Sequence, residues 1–151
     1  MNAHSAGGKL IRLFLNRIPK SHVAKVRGGL NKGRHWVVGT SIHRCWLGSY
    51  EVDKQAMLER LMKPGMVVWD VGANAGFYTL ALSRLTGPAG HVYAFEPLGA
   101  NVKNLIRHVH LNRLTNTTVV QCALGGANEL CGFDTSISHQ KGFLSEHRND
   151  Y

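Results

Sequence analysis

Over residues 66–121 short apolar runs alternate with longer amphipathic ones, and nothing else in the chain constrains its fold as tightly. Residues 66–71 (MVVWDV) are almost continuously apolar, as expected for a buried parallel strand. Residues 77–85 read as a helix stopped by Gly87-Pro88. Residues 91–95 (HVYAF) read as a second strand, and residues 117–121 (TTVVQ) as a third. Between them Val102, Leu105, Ile106 and Val109 recur at the spacing of one helix face. Strands alternating with helices predict a βαβαβ unit, hence an α/β fold with a parallel sheet and right-handed crossovers.

Upstream, Ala56, Leu58, Leu61 and Met62 fit one face of a helix that Lys63-Pro64-Gly65 ends. Leu10, Leu13 and Phe14 predict a short amphipathic helix before Pro19, residues 27–34 a loop, and residues 35–39 a short strand. Downstream the pattern fades. Residues 125–128 read as a turn, 130–133 (LCGF) as a fourth strand, and 134–151 as polar and aperiodic.

With 18 Lys+Arg against 9 Asp+Glu the chain carries +9, and nine of its cations fall between Lys9 and Arg44 with no acid among them. That basic arm suggests acidic partners. A non-catalytic module binding nucleic acid or anionic lipid is therefore a second reading of the chain. The bland alternative is a solvated surface that keeps the chain soluble, favoured because the cations show no interleaved aromatic stacking pattern, and nucleic acid is not the expected partner. A length of 151 residues rules out two large domains. No apolar run is long enough to span a bilayer. Cys45, Cys122 and Cys131 are odd in number, widely spaced and form no CxxC pair, the usage expected of reduced thiols in a cytoplasmic protein. The first ten residues show no secretory pattern. The histidines fall in no metal-ligand spacing, so no metal is expected.

The chemistry concentrates at residues 68–80, VVWDVGANAGFYTL. Asp70 lies near the carboxyl end of the first strand, and Gly72-Ala73-Asn74-Ala75-Gly76 makes the turn into the helix. Ligands of open α/β sheets bind outside the carboxyl ends of the strands. A dinucleotide turn needs G-x-G-x-x-G, but Asn74 stands at the second glycine position. A P-loop needs Lys after its last glycine, and Gly76 is followed by Phe77. A phosphate-free cofactor with a cationic end, S-adenosylmethionine, fits an acid placed just before the turn. Glu96 ends the second strand 26 positions after Asp70, close to the offset of roughly 20 at which an acid meets a ribose diol. The bland alternative is that both acids cap the helices that follow them.

These residues resemble the FkbM-type family of S-adenosylmethionine-dependent methyltransferases. The likeness runs over residues 45–130: Gly48-Ser49-Tyr50-Glu51, Lys63-Pro64-Gly65-Met66, the run from Asp70 to Leu80, His91 to Pro97, Asn101, Leu105 and Ala123-Leu124-Gly125. It implies a Rossmann-like class I fold and O-methyl transfer to a sugar, a glycan or a hydroxylated small-molecule metabolite. It also implies that Asp70, Gly72, Asn74 and Gly76 surround the methionine moiety, that Glu96 takes the ribose, and that Pro97, Ala123 and Leu124 flank the adenine. Glu51 is the one weak candidate for a catalytic base, and it reads equally well as a helix N-terminal acid.

The implied organisation is a basic arm over 1–44, an S-adenosylmethionine-binding half-domain over 45–133 and a polar tail over 134–151. Readable strands stop at three to four, fewer than the family fold has. The chain is thus expected to be the N-terminal portion of a methyltransferase, truncated and inactive alone or completed by another chain. Residues 66–71 would then form an open apolar edge that invites a homo-oligomer or a completing chain.

Overall fold

A computed structural model describes residues 13–126 of the chain, together with the backbone of residues 132–138 and 141–145. Strands β1 (Val23–Lys25) and β2 (His35–Val37) pair antiparallel, with Val23 opposite Val37. Helices α1 (His43–Leu47) and α2 (Val52–Leu61) lead into the alternating unit. That unit consists of β3 (Val67–Val71), α3 (Phe77–Thr86), β4 (His91–Phe95), α4 (Gly99–Leu111) and β5 (Thr117–Val120). Its three strands form a parallel sheet in the order β3-β4-β5, flanked by helices, which is the α/β Rossmann-like class expected from the sequence.

Side chains alternate across a strand, so the sheet has two unlike faces. Asp70 pairs in register with Ala94, and Ala94 packs with Leu105 of α4 in one buried cluster. The opposite face is bare. Val67, Trp69 and Val71 are 64%, 64% and 60% exposed. Among the described residues β3 pairs with β4 alone, so the apolar run of residues 66–71 is an edge strand with one covered face.

The core extends into the basic stretch that precedes the alternating unit. Val26, Trp36, Val38, Cys45 and Trp46 form one buried cluster with Phe77 and Leu80 of α3. Trp36 stacks on His108 of α4, ring centroids 4.0 Å apart.

Three elements differ from the sequence reading. Helix α2 buries Gln55 and leaves Ala56 and Leu61 exposed. Gln55 has a task that apolar patterning does not show: its Oε1 accepts the Leu30 N–H at 2.8 Å and its Nε2 donates to the Tyr50 carbonyl. On α4, Ile106 is exposed while Asn101 and His108 are buried, because both polar side chains have internal partners. The segment read as an aperiodic tail contains an antiparallel pair, β6 (Gly132–Ser138) and β7 (Lys141–Ser145). Leu130 and Cys131 of the expected fourth strand lie outside the described residues. So does Leu10 of the short amphipathic helix, of which residues 13–15 are helical with Leu13 and Phe14 exposed.

Candidate cofactor site

The turn after β3 is shaped by three left-handed residues: Gly72 (φ 76°), Asn74 (φ 51°) and Gly76 (φ 93°). Gly76 is needed twice over. Its φ is unfavourable for any side chain, and a Cβ there would stand 2.6 Å from Leu105 Cδ1, where α4 crosses the turn. Gly72 is exposed, and a Cβ on it would meet nothing within 4 Å, so the turn faces open space on that side.

Every backbone N–H of the turn is already used. Gly72 and Ala73 both donate to the Phe95 carbonyl at 2.9 Å, and Gly76 donates to the Ala73 carbonyl at 2.8 Å. Asn74 donates to Glu96 Oε2 and Ala75 to Asn74 Oδ1, each at 2.8 Å. A pyrophosphate seeks free amides at such a turn, and this one offers none between Gly72 and Gly76.

The two acids sit together beneath the turn. Asp70 is level with Ala94, and Glu96 lies two residues further along the neighbouring strand, hence on the same face. Asp70 accepts from the Thr79 hydroxyl at 2.5 Å and from the Thr79 backbone N–H in the first turn of α3. Burial pushes its carboxyl above the usual aspartate range, and the nearby Glu96 charge adds to this. Glu96 Oε1 accepts from the Leu98 N–H at 3.0 Å and from Asn101 Nδ2 at 3.2 Å, at the start of α4. Both acids therefore brace the helices that follow them as well as the turn.

Beside the turn opens a cleft of about 470 Å³. Gly72, Ala73, Asn74 and Ala75 form one wall, and Phe77 and Tyr78 of α3 continue it. Trp36, Ser41, Ile42, Cys45 and Tyr50 form the other. Tyr50 meets Phe77 edge to face with ring centroids 5.0 Å apart. Near the cleft the Tyr78 hydroxyl donates to Glu51 Oε2, while Lys54 Nζ lies 3.0 Å from Glu51 Oε1. Glu51 itself is a non-glycine residue in the left-handed region, at φ 44° and ψ 54°. The bonds from Tyr78 and Lys54 hold its carboxyl below the ordinary glutamate range, so Glu51 stays ionised. Burial and the Glu51 charge push Tyr78 well above the ordinary phenol range, so Tyr78 stays a neutral donor.

The structure thus sets Gly72 and Asn74 in the cleft wall, Gly76 under α4, and Asp70 and Glu96 beneath the turn. Pro97 follows the tip of β4, half-buried; Ala123 and Leu124 follow β5, half-buried and exposed respectively. Sequence reasoning missed the second wall altogether. It also missed His108, whose Nε2 accepts the Val37 N–H at 2.9 Å while its Nδ1 donates to the Ala75 carbonyl at 2.7 Å. The signal was present: His108 stands three residues after Leu105, on the buried stripe of α4. Among the described residues no three His, Cys, Asp or Glu cluster as metal ligands, and no helix is long and apolar enough to cross a membrane.

A sheet of this order, with two acids at the tips of neighbouring parallel strands and a glycine turn between them, is the Rossmann-like arrangement of class I methyltransferases. No family model matches the chain. Over 79 residues it is 35% identical to the ribosomal protein L11 methyltransferase of Caldanaerobacter subterraneus subsp. tengcongensis, covering 51% of this chain and 25% of that protein. Over 59 residues it is 30% identical to the protein-L-isoaspartate O-methyltransferase of Methanothrix thermoacetophila, covering 39% of this chain and 28% of that protein. The chain therefore spans about a quarter of the length of the curated relatives it matches. Among solved structures it is similar to a SAM-dependent methyltransferase from Aquifex aeolicus, with 35% identity, a TM-score of 0.43, and coverage of 46% of this chain and 37% of that one.

Proposed function

We propose that this chain binds S-adenosylmethionine at the tips of β3 and β4 and belongs to a methyltransferase. The observation that carries the reading is the turn itself: all its amides are satisfied internally and two carboxylates lie beneath it. Such a site repels a phosphate and suits a cationic, phosphate-free nucleoside. Similarity to a methyltransferase over about half of the chain supports it.

In this reading Gly72 and Asn74 lie along the methionine moiety, with Gly76 holding the turn against α4. Asp70 fixes the start of α3 and lends its negative potential to the ammonium. Glu96 presents a carboxylate to the ribose, and Pro97, Ala123 and Leu124 border the adenine. When bound, the cofactor would supply a methyl already activated by its sulfonium sulfur. Catalysis is then mostly alignment in the cleft. Glu51 is ionised but a weak base, so its part is to orient Tyr78 and attract positive charge more than to strip protons. The FkbM resemblance supports O-methylation of a sugar hydroxyl. The free thiols of Cys45 and Cys122 are compatible with a reducing, cytoplasmic setting.

Calorimetry with S-adenosylhomocysteine tests the reading without needing the acceptor. Saturable binding, weakened at least about tenfold by Glu96→Gln, is expected, equivalent to about 1.4 kcal/mol. Absence of heat at high protein concentration would overturn it.

A further inference from the structure

The net charge of the chain resides entirely in its first 50 residues. They hold nine Lys and Arg and no Asp or Glu, while residues 51–151 hold nine of each. Where it is described, this stretch is ordered into the fold. Beside β1 runs a groove of about 590 Å³ whose lining includes Val26, Trp46, His22, Lys25, Arg27 and Lys32. The three Lys and Arg side chains are exposed. Their spacing is set by backbone bonds: Arg27 donates to the Trp46 carbonyl and Gly33 to the Val26 carbonyl, both at 2.9 Å. Among the described residues the single ion pair is Lys54 with Glu51, so no described carboxylate pairs with these three cations.

Helix α1 joins the groove to the cleft beside the turn. Trp46 lines the groove, and its neighbours Ile42 and Cys45 line the cleft. One helix, about 10 Å across with its side chains, separates the two.

We propose that this groove holds single-stranded RNA by its phosphates, and that the methyl acceptor is a group on the strand so held. A concave, one-sign rim follows a strand's backbone, whereas a lipid surface would be met by a flat or convex patch. Each ribose also brings the sugar hydroxyl that O-methylation needs. Binding stands on charge and shape alone; the acceptor assignment rests on the methyltransferase reading.

The test measures binding of a short unstructured oligouridylate to the full chain by fluorescence anisotropy across a salt series. Phosphate contacts by Lys25, Arg27 and Lys32 alone predict about a twentyfold loss of affinity between roughly 50 and 200 mM salt. The triple variant Lys25→Gln, Arg27→Gln and Lys32→Gln should flatten the log–log slope by about 2 while keeping the wild-type Tm and S-adenosylhomocysteine affinity. Because the wild-type slope is read independently, a misfolded variant leaves the test intact. No oligouridylate binding at low salt, or tight binding to phosphatidylglycerol vesicles with none to the oligouridylate, overturns the proposal. RNA binding without S-adenosylhomocysteine binding sustains the groove and removes the methyltransferase reading.

Discussion

The backbone N–H of Asn74 and Oε2 of Glu96 meet at 2.8 Å across 22 residues of chain. This bond ties the turn after β3 to the tip of β4, so the cofactor's two expected anchor points move as one body. With Glu96 4% exposed and accepting also from Leu98 and Asn101, Glu96→Ala removes the shared acceptor of three donors in a buried place. The expected loss is about 3 kcal/mol, read as a lower urea midpoint at unchanged slope. Glu96→Gln keeps an acceptor and should cost only about 1 kcal/mol. A Glu96→Gln protein that binds S-adenosylhomocysteine as well as wild type would take this residue out of the site.

The two outer glycines of the turn should respond differently to the same change. Gly76→Ala meets both a left-handed φ of 93° and Leu105 at 2.6 Å, so about 2–3 kcal/mol of destabilisation is expected. Gly72→Ala meets only its φ of 76°, and about 1 kcal/mol follows. Its new methyl projects into the open side of the turn, so its larger effect should be on S-adenosylhomocysteine affinity. Thermal denaturation and calorimetry of both variants separate these contributions. Equal stability losses would mean that Leu105 yields freely.

The alternating unit was legible because its signals are local. Apolar run, glycine turn and helical stripe each fall within about a dozen residues, and one βα unit sets the next. The turn chemistry was legible for the same reason, since Asp70, Gly72, Asn74, Gly76 and Glu96 adjoin strand ends that the pattern itself marks. The second wall of the cleft was not. Trp36, Cys45 and Tyr50 reach Phe77 and His108 through contacts 27 to 72 residues apart, and no periodicity records such distances. Gln55 and His108 were passed over because their burial depends on partners, Leu30 for one and Val37 with Ala75 for the other, that only the folded chain brings near. The β6 pairing had a readable sign: Phe133, Thr135 and Ile137 alternate with Asp134, Ser136 and Ser138, a period of two obscured by the polar composition.

Glu51 and Tyr78 give a prediction in which charge and packing separate. Tyr78→Phe removes the bond that contributes most to holding the Glu51 carboxyl low. Its titration, followed by carbon-13 NMR, should move upward toward the ordinary glutamate range of about 4.3. Glu51 is depressed in the folded chain, so the stability it contributes is present above that range and fades as pH falls through it. Because Glu51 and Tyr78 are only half-buried and solvent screens their charge, the change in Tm should be small. An unmoved Glu51 titration would mean that Lys54 alone sets its charge.

His108 links the N-terminal strands to the cofactor turn, and acid should break that link. Its ring is fully buried, stacked on Trp36, and bonded through Nε2 to the Val37 N–H and through Nδ1 to the Ala75 carbonyl. Only the neutral ring serves both bonds, since protonation would turn Nε2 into a donor facing another donor. Burial depresses its pKa from 6.5 to about 4. A depressed folded value means that the stability His108 contributes is complete above pH 6.5, the unfolded value, and is lost as pH falls toward 4. Over that window the loss approaches about 3 kcal/mol. Thermal denaturation at pH 7 and at intervals down to pH 4.5 should show this, with S-adenosylhomocysteine binding weakening in step as the bond from Val37 is lost and the ring beneath Ala75 shifts. His108→Gln should be less stable at pH 7 by about 2 kcal/mol, and its curve should be flatter below pH 6.5. A wild-type Tm that holds level from pH 6.5 to 4.5, with the variant parallel to it, would show that the ring does not couple the strands to the turn.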